Sequence, residues 1–207
     1  MTGPLDQFTR DVTHAELHVD EAAEKPRLVG WAHRYGRLSA PLTINGRTFR
    51  ERFKAGAFRR HIAAPETDLR ALVNHDKNRV LGRQKNGTLR IQESDEGVYF
   101  EIDPPDTAYA RDLVESVRRQ DVSGCSFRFC GPLRQSFTRE GDQIVRTISE
   151  AGIREVSIVT WPAYEDGSSV ELRDIDPAVV AELDALNRPA TPRLNAALHR
   201  QRLASLI

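Results

Sequence analysis

The sequence predicts an α+β fold that is mainly β, with six to eight short strands, one or two helices packed around them and a helical carboxyl-terminal tail. Short segments in which apolar and polar residues alternate recur from about residue 15 to residue 173, and turn-forming residues separate them. Beyond residue 173 the composition changes to alanine and leucine at helical spacing. We therefore expect a loose lead-in over residues 1–14, one domain over residues 15–173 and a helical tail over residues 174–207.

The predicted strands follow one another through the domain. The segments "AELHVD" and "RLVGWAHRYG" predict two strands joined by a turn. Asn45 and Gly46 predict a turn ahead of a strand through Phe49 and Phe53, and "TLRIQES" and "VYFEID" predict a hairpin with Gly97 at its turn. Three further strand segments are rich in β-branched residues: "DVSGCSFRFCG", "DQIVRTISEAG" and "IREVSIVTWPAY".

Two helices are predicted inside the domain. The first is short, covers "AFRRHIAA" and ends before Pro65. The second begins after Asp106 or Thr107, either of which can cap it, and ends near Gln120. Its apolar residues recur at helical spacing: Ala110, Leu113, Val114 and Val117. In the tail, "DPAVVAELDALN" and "PRLNAALHRQRLASLI" are helical segments separated by the hinge "RPATP".

Composition argues against several classes of function. With 30 basic and 30 acidic residues and a pI near 7.0, the chain has no overall electrostatic footprint for nucleic acid or for a membrane surface. No stretch approaches the roughly 20 apolar residues of a membrane-spanning helix, and "MTGPLDQFTR" lacks the apolar core of a signal peptide. The only cysteines, Cys125 and Cys130, indicate small buried hydrophobes in a reducing compartment, not a disulfide framework or a zinc site.

His75 is the histidine whose context points most to chemistry. It ends a short strand predicted over residues 68–74 and lies between Asn74 and Asp76, with Gly82 shortly beyond. A second feature elsewhere in the chain is needed to favour a catalytic role. Taken alone, the pattern favours an exposed turn histidine over a catalytic base.

The other histidines are weaker candidates. His14 and His18 are four residues apart, but the local alternation is that of a strand, so a metal site is disfavoured. His33 is predicted to be a half-exposed strand residue. His61 and His199 lie among arginines in helical segments and are predicted at the surface.

Ser126 is the candidate nucleophile. In an extended strand, Ser126 and Arg128 point to one face, while Cys125, Phe127 and Phe129 point to the other and anchor the strand in the core. A serine hydroxyl attacks a carbonyl only when a base accepts its proton, so this interpretation needs an imidazole such as that of His75. The alternatives are a hydroxyl facing a neighbouring strand and, for catalysis, the thiol of Cys125, which core packing explains better.

Glu155 is the candidate for the acidic partner of the histidine. It opens a β-rich run whose alternation places Glu155, Ser157 and Val159 on one face. A carboxylate there can hold an imidazole in one tautomer and stabilise its protonated form. An ordinary salt bridge to an arginine explains Glu155 equally well, and Asp76 and Glu101 are alternative acids.

Six segments, in their order along the chain, resemble the prohead maturation protease family of tailed bacteriophages. They are "LVGWAHRYG", "FKAGAF", "ALVNHD" with "LGR", the "GTLRI" and "GVYFEID" hairpin, "DVSGCSFRF" and "REVSIVTWPAYEDG". The resemblance covers about residues 27–173, and the ordered set is far more specific than any single segment.

The resemblance implies a serine endopeptidase with a small closed antiparallel β-barrel core, similar to the herpesvirus assemblin proteases. Matched by motif, His75 is the general base, Ser126 the nucleophile and Glu155 the orienting acid, although related viral enzymes use a histidine in the third role. It also implies an oxyanion hole in the loop at Pro162 and Ala163, with the side chain of Arg128 as an alternative.

The resemblance further implies where and on what the protein acts. Such enzymes work inside the immature capsid in the host cytoplasm and cleave the scaffold or the scaffold-like arm of the major capsid protein, and commonly themselves. We expect a homo-oligomer, no cofactor, no metal, and no nucleic-acid or membrane partner. The tail either folds back on the domain or is a removable segment that targets the scaffold. The alternative functions are a catalytically silent capsid-assembly protein and a hydrolase that uses Cys125.

Overall fold

The computed structural model describes residues 17–23, 25–44, 46–160 and 177–187. The chain divides into two units, Met1–Ile175 and Asp176–Ile207. In the second unit, the described residues form one helix, Pro177–Asn187, so the predicted tail is helical over this segment. The second helical segment predicted for the tail lies outside the described residues.

Within its described part, the first unit contains ten strands and two α-helices, with a 3-10 turn at Gln84–Asn86. In chain order the strands and helices are β1 (Leu17–Asp20), β2 (Arg27–Arg34), β3 (Leu42–Ile44), β4 (Arg47–Phe53), α1 (Arg59–Ile62), β5 (Arg70–Val73), β6 (Asp76–Arg83), β7 (Leu89–Glu93), β8 (Gly97–Ile102), α2 (Ala108–Arg118), β9 (Gly124–Glu140) and β10 (Gln143–Val159); the helix of the second unit is α3 (Pro177–Asn187). The predicted character, mainly β with few helices, is confirmed.

The strands form two sheets. The smaller sheet has the order β1-β2-β8-β7, and all its pairings are antiparallel. In the larger sheet the order is β3-β4-β10-β5-β6, in which β4 and β5 pair with successive parts of one edge of β10. β9 pairs along the opposite edge of β10. β10 is parallel to both β4 and β5, each of which pairs with a different part of it. The long strand β10 is therefore the centre of the larger sheet.

The closed antiparallel barrel implied by the family resemblance is not supported. Both sheets are open in the described residues, because the smaller one begins at β1 and ends at β7 and no described pairing joins these edges to the larger sheet. Two pairings of β10 are parallel, and the described strands number ten, not six to eight. The segments predicted as separate strands before and after Gly152 are one strand, β10, which continues through register shifts near that residue.

Alternation correctly predicted which residues of β9, β10 and α2 form the core. Cys125, Phe127 and Phe129 of β9 all lie in the main hydrophobic cluster, as do Val156 and Ile158 of β10. The four buried residues of α2 are those predicted: Ala110, Leu113, Val114 and Val117. Thr107 precedes this helix, but its side chain makes no capping hydrogen bond.

Strand β6 was not predicted from the sequence. Four of its residues in succession are exposed, so the segment shows no alternation of apolar and polar residues.

The segment around α1 completes the hydrogen bonding of β10 between its pairings with β4 and β5. Lys54 N–H donates to the carbonyl of Ile148 (2.8 Å), and Ala151 N–H donates to that of Ala57 (2.8 Å).

His61 and Gly152 also pack closely in this region. His61 was predicted as a surface residue, but its Nε2 lies 2.8 Å from the carbonyl oxygen of Ile153, an oxygen that can only accept a hydrogen bond. At Gly152 a Cβ would lie 2.5 Å from Cys130 Sγ, so the close packing here requires glycine.

His33 is buried, whereas the sequence predicted a half-exposed side chain. It is 6% exposed, and the register of β2 against β8 shifts between Trp31 and His33, which turns the imidazole inward. Its ring lies with centroids between 5.1 and 6.5 Å from four aromatic rings, those of Tyr35, Phe53, Phe58 and Phe127. Its Nε2 is buried and makes no hydrogen bond within the described part of the chain.

A buried ion pair joins β4 to β10. Arg146 Nη1 lies 2.9 Å from Glu51 Oε2, and the two side chains are 4% and 2% exposed. Arg146 Nε also donates to Gln135 Oε1 on β9 (2.6 Å), so one guanidinium connects three strands. Enclosed charges of this kind are tolerated only when they are paired.

We predict that Arg146→Met lowers the free energy of unfolding by about 3–5 kcal/mol, because it leaves the Glu51 carboxylate enclosed without this guanidinium. Arg134→Met is the matched control, since Arg134 is 75% exposed where it pairs with Glu150; its loss should cost about 1 kcal/mol or less. Urea unfolding of both variants measures the difference. Equal effects would contradict the prediction.

The burial of His33 predicts a dependence of stability on pH. Desolvation lowers the pKa of His33 from its ordinary value of 6.5 to about 4. Between these values the unfolded chain binds a proton that the folded chain does not, so the free energy of unfolding falls as the pH decreases from about 6.5 to about 4. The loss from this group is about 3 kcal/mol in total.

We expect His33→Leu to remove this contribution, whatever its effect at neutral pH, because leucine does not titrate. The measurement is the unfolding free energy of wild type and variant at several pH values from 7 to 4. The difference between the two proteins should change steadily in favour of the variant as the pH falls. Parallel curves would show that His33 does not titrate in this window.

Candidate active site

His75 lies in the two-residue turn of the hairpin that joins β5 to β6. Val73 pairs with Asp76 across this hairpin, and the turn residues Asn74 and His75 have φ angles of +48° and +59°. Positive φ at both central positions is the requirement of a type I′ turn, which favours asparagine and glycine. At His75 this conformation costs about 1 kcal/mol or more. The side chain is 12% exposed, so His75 is a turn residue without being a solvent-exposed one.

Glu155 is the direct partner of His75. The Nδ1 of His75 lies 2.5 Å from Oε1 of Glu155, whose side chain is 5% exposed. The parallel pairing of β5 with β10 brings the turn to the end of β10, because it aligns Val73 with Ile158, and the imidazole reaches back from there to Glu155. A carboxylate accepts, so Nδ1 carries the hydrogen and Nε2 is the ring nitrogen able to take up a proton.

Two further side chains contact the Glu155 carboxylate. Ser157 is fully buried, and its hydroxyl donates to Oε1 (3.2 Å). Arg128 Nε lies 3.6 Å from the same oxygen. No functional role was predicted for Ser157, although the alternation that placed Glu155 on this face also placed Ser157 there. A buried carboxylate with donors on one oxygen is held in a fixed orientation.

Ser126 lies on β9 directly opposite Ser157 of β10. Directly opposed residues of an antiparallel pair have Cβ atoms about 4.5–5.5 Å apart on one face. Ser126 therefore shares its face with Glu155, two residues from Ser157 along β10, and the imidazole of His75 reaches the same face. Ser126 is 1% exposed, and its Oγ makes no hydrogen bond in the part of the chain that the structure describes.

Comparison with known proteins bears on this constellation of serine, histidine and carboxylate. The sequence model of one protein family, described as caudovirus prohead serine protease, matches residues 13–180 of the 207. The chain belongs to this family. No curated protein and no solved structure gives a significant match.

The alternative acids predicted from the sequence have other partners. Asp76 Oδ1 accepts from the backbone N–H and the side-chain amide of Asn78 (2.9 and 3.1 Å). On the smaller sheet, Glu101 pairs with Arg27 (3.4 Å) and Arg90 (2.8 Å). Of the three acids considered from the sequence, Glu155 is the one for which the described contacts show a hydrogen bond to the His75 ring.

The thiol alternative has little support in the geometry. Cys125 is completely buried, its thiol donates to the carbonyl of Trp31 (3.0 Å), and burial strongly raises its pKa. A thiol that stays protonated on the core face of β9 is a poor nucleophile.

The remaining predicted site residues are only partly described. Pro162 and Ala163 lie outside the described residues, as do His14 and His199. Arg128 is the one candidate oxyanion donor that the structure places, and its contact is with Glu155; its oxyanion role stays a prediction. The described residues contain no group of three or more potential metal ligands, and none of their helices is long and apolar enough to cross a membrane.

Proposed function

We propose that this member of the family is a serine endopeptidase of capsid maturation that acts through Ser126, His75 and Glu155. Its substrates are the scaffold or the scaffold-like arm of the major capsid protein, and the chain itself, inside the immature capsid in the host cytoplasm. The hydrogen bond between His75 and Glu155 supports the proposal most, because it lies on the face of β10 that Ser126 adjoins.

The chemistry that we propose begins with attack of Ser126 Oγ on a peptide carbonyl. The Nε2 of His75 takes the hydroxyl proton as the bond to carbon forms, and the resulting imidazolium donates through Nδ1 to Glu155. Collapse of the tetrahedral intermediate breaks the C–N bond, and the imidazolium returns the proton to the leaving amine. The acyl group remains on Oγ as an ester.

Water then completes the reaction by the same route. His75 removes a proton from the water as it attacks the ester carbonyl, and returns it to Ser126 Oγ when the ester bond breaks. The oxyanion formed in each step needs hydrogen-bond donors, whose removal in other acyl transferases costs about 3 kcal/mol each. We assign that role to backbone N–H groups of the loop around Pro162 and Ala163, in which proline itself has no N–H to donate, or to the side chain of Arg128.

One observation favours a second candidate. Ser126 is 1% exposed, and a peptide carbonyl reaches its Oγ only if the covering groups move. A catalytically silent capsid-assembly protein that keeps the fold as an interaction module would tolerate such burial. The two candidates differ in whether Ser126 reacts at all, so a test must include a reagent for the serine itself.

We predict that Ser126→Ala abolishes cleavage, by about 10⁴-fold or more, when the full chain is co-expressed with the scaffold and major capsid proteins of its own virus. Mass spectrometry of all three proteins reports substrate cleavage and self-processing. A fluorophosphonate probe should label wild type at Ser126 and leave the variant unlabelled. Ser136→Ala, at an exposed position of the same strand, is the control and should keep both activities.

Each other outcome identifies an alternative. If Ser126→Ala cleaves at the wild-type rate, the serine enzyme is excluded. If cleavage is then lost only when Cys125→Ala is made, the thiol enzyme is favoured. If wild type is neither labelled nor able to cleave any of the three proteins, the silent assembly protein is the better description.

We predict that Glu155→Gln lowers the rate of fluorophosphonate labelling by about 10²- to 10⁴-fold, because the amide can hold His75 in the wrong tautomer and cannot stabilise the imidazolium. Glu101→Gln removes a carboxylate from an ion-pair cluster on the smaller sheet and is the matched control. It should label within about twofold of wild type, since surface ion pairs contribute little. Equal labelling of the two variants would exclude Glu155 from the site.

A further inference from the structure

The turn that carries His75 is attached to the end of β10 through Asn74. The backbone N–H of Asn74 donates to the carbonyl of Ile158 (2.9 Å). Its side-chain Oδ1 accepts from the backbone N–H of Thr160 (2.9 Å), and its Nδ2 donates to Thr160 Oγ1 (3.1 Å). One exposed residue thus makes three hydrogen bonds to the end of β10 and to Thr160 just beyond it, which is 86 residues distant in sequence.

These contacts act on the residue next to the imidazole. Asn74 and His75 both have positive φ, a conformation that a non-glycine residue adopts only when its surroundings impose it. The strand to which Asn74 is bonded also carries Glu155, three residues before Ile158. The Asn74 contacts therefore set the position of the His75 backbone relative to the carboxylate that its Nδ1 must reach.

The bonds of Asn74 are specific to an asparagine side chain. Its amide uses an acceptor and a donor at once, on the N–H and the hydroxyl of a single residue, Thr160. Asparagine also tolerates the left-handed conformation better than most residues do. Asn78, in the same hairpin, contacts only Asp76 with its side chain among the described contacts, so its bonds stay within β6.

We propose that Asn74 is a positioning residue of the active site, which holds the His75 imidazole in register with Glu155 by clamping the β5–β6 turn to the end of β10. The inference rests on the proposed function for its catalytic consequence, but the geometry that it concerns can be measured without activity. A displacement of about 1 Å in a catalytic group can lower a rate by about 10²-fold.

The test compares Asn74→Gly with wild type. Glycine accepts positive φ and keeps the backbone bond to Ile158, so the variant removes only the two amide contacts. We expect fluorophosphonate labelling of Ser126 to fall about 10- to 100-fold while circular dichroism still reports a folded protein. Proton NMR should show the resonance of the short Nδ1–H bond to Glu155, assigned by its loss in His75→Ala, shifted or broadened beyond detection.

Two further variants keep the test decisive. Thr160→Val removes only the Oγ1 acceptor. We expect it to reduce labelling and to shift the same resonance, both to a smaller extent than Asn74→Gly does. If Asn74→Gly does not fold, this variant tests the role of Asn74 in its place. Asn78→Gly is the matched control, and we expect it to label within about twofold of wild type with the resonance unchanged.

Several results would overturn the inference. The first is that Asn74→Gly labels within twofold of wild type and its resonance is unchanged. The second is that Asn78→Gly loses as much labelling as Asn74→Gly. If Asn74→Gly is unfolded, the third is that Thr160→Val matches wild type in both measurements. If wild type itself is not labelled, the proposed function fails. The resonance then tests the role of Asn74 alone, and an unchanged resonance in the variants rejects it.

Discussion

The larger sheet depends on the pairing of β10 along both of its edges. The strand is buried on both faces from Glu155 to Val159, so each of its backbone groups needs a partner within the protein. β9 provides one edge over the whole length, whereas the other edge is shared by β4, the α1 segment and β5 in succession. Because β5 continues directly into the turn with His75, and β9 carries Ser126, one strand fixes both relative to Glu155. A change in the register of β10 would separate all three.

The same strand makes an enclosed carboxylate tolerable. A charge removed from water is strongly unfavourable unless hydrogen bonds and opposite charge surround it. Glu155 has the imidazole of His75, the hydroxyl of Ser157 and the guanidinium of Arg128 around a single oxygen, Oε1. Arg128 and Ser157 come from the two strands that Ser126 and Glu155 occupy, so the pairing that builds the sheet also supplies the groups that orient the acid.

Local periodicity allowed the faces of the strands to be predicted, but not their partners. Alternation correctly placed Ser126 opposite the core-facing phenylalanines and Glu155 beside Ser157, because side-chain direction depends only on the strand itself. Alternation gave the wrong exposure for His33, because a register shift in β2 reverses the alternation there. The sequence also predicted two strands that meet at Gly152, whereas Gly152 is a site of close packing inside one continuous strand. Parallel pairing of β10 with β4 and β5 joins segments far apart in sequence, so open sheets and a closed barrel have the same local pattern. For the same reason, the contacts of Asn74 and Ser157 could not be read from the sequence.

The hydroxyl of Ser126 distinguishes a functional interpretation of this face from a purely structural one. A buried serine ordinarily donates to a nearby carbonyl or side chain, and leaving a buried polar atom without a bond costs about 1–3 kcal/mol. Ser157, directly opposite, follows the ordinary pattern and bonds to Glu155, whereas Ser126 Oγ makes no hydrogen bond to any described residue.

Core packing gives no reason to place a serine at position 126, since alanine would fill the position without an unsatisfied atom. A nucleophile, in contrast, must not be committed to a backbone acceptor, because that bond would have to break before a base could take its proton. The nucleophilic role that we propose for Ser126 accounts for this hydroxyl, which core packing does not explain.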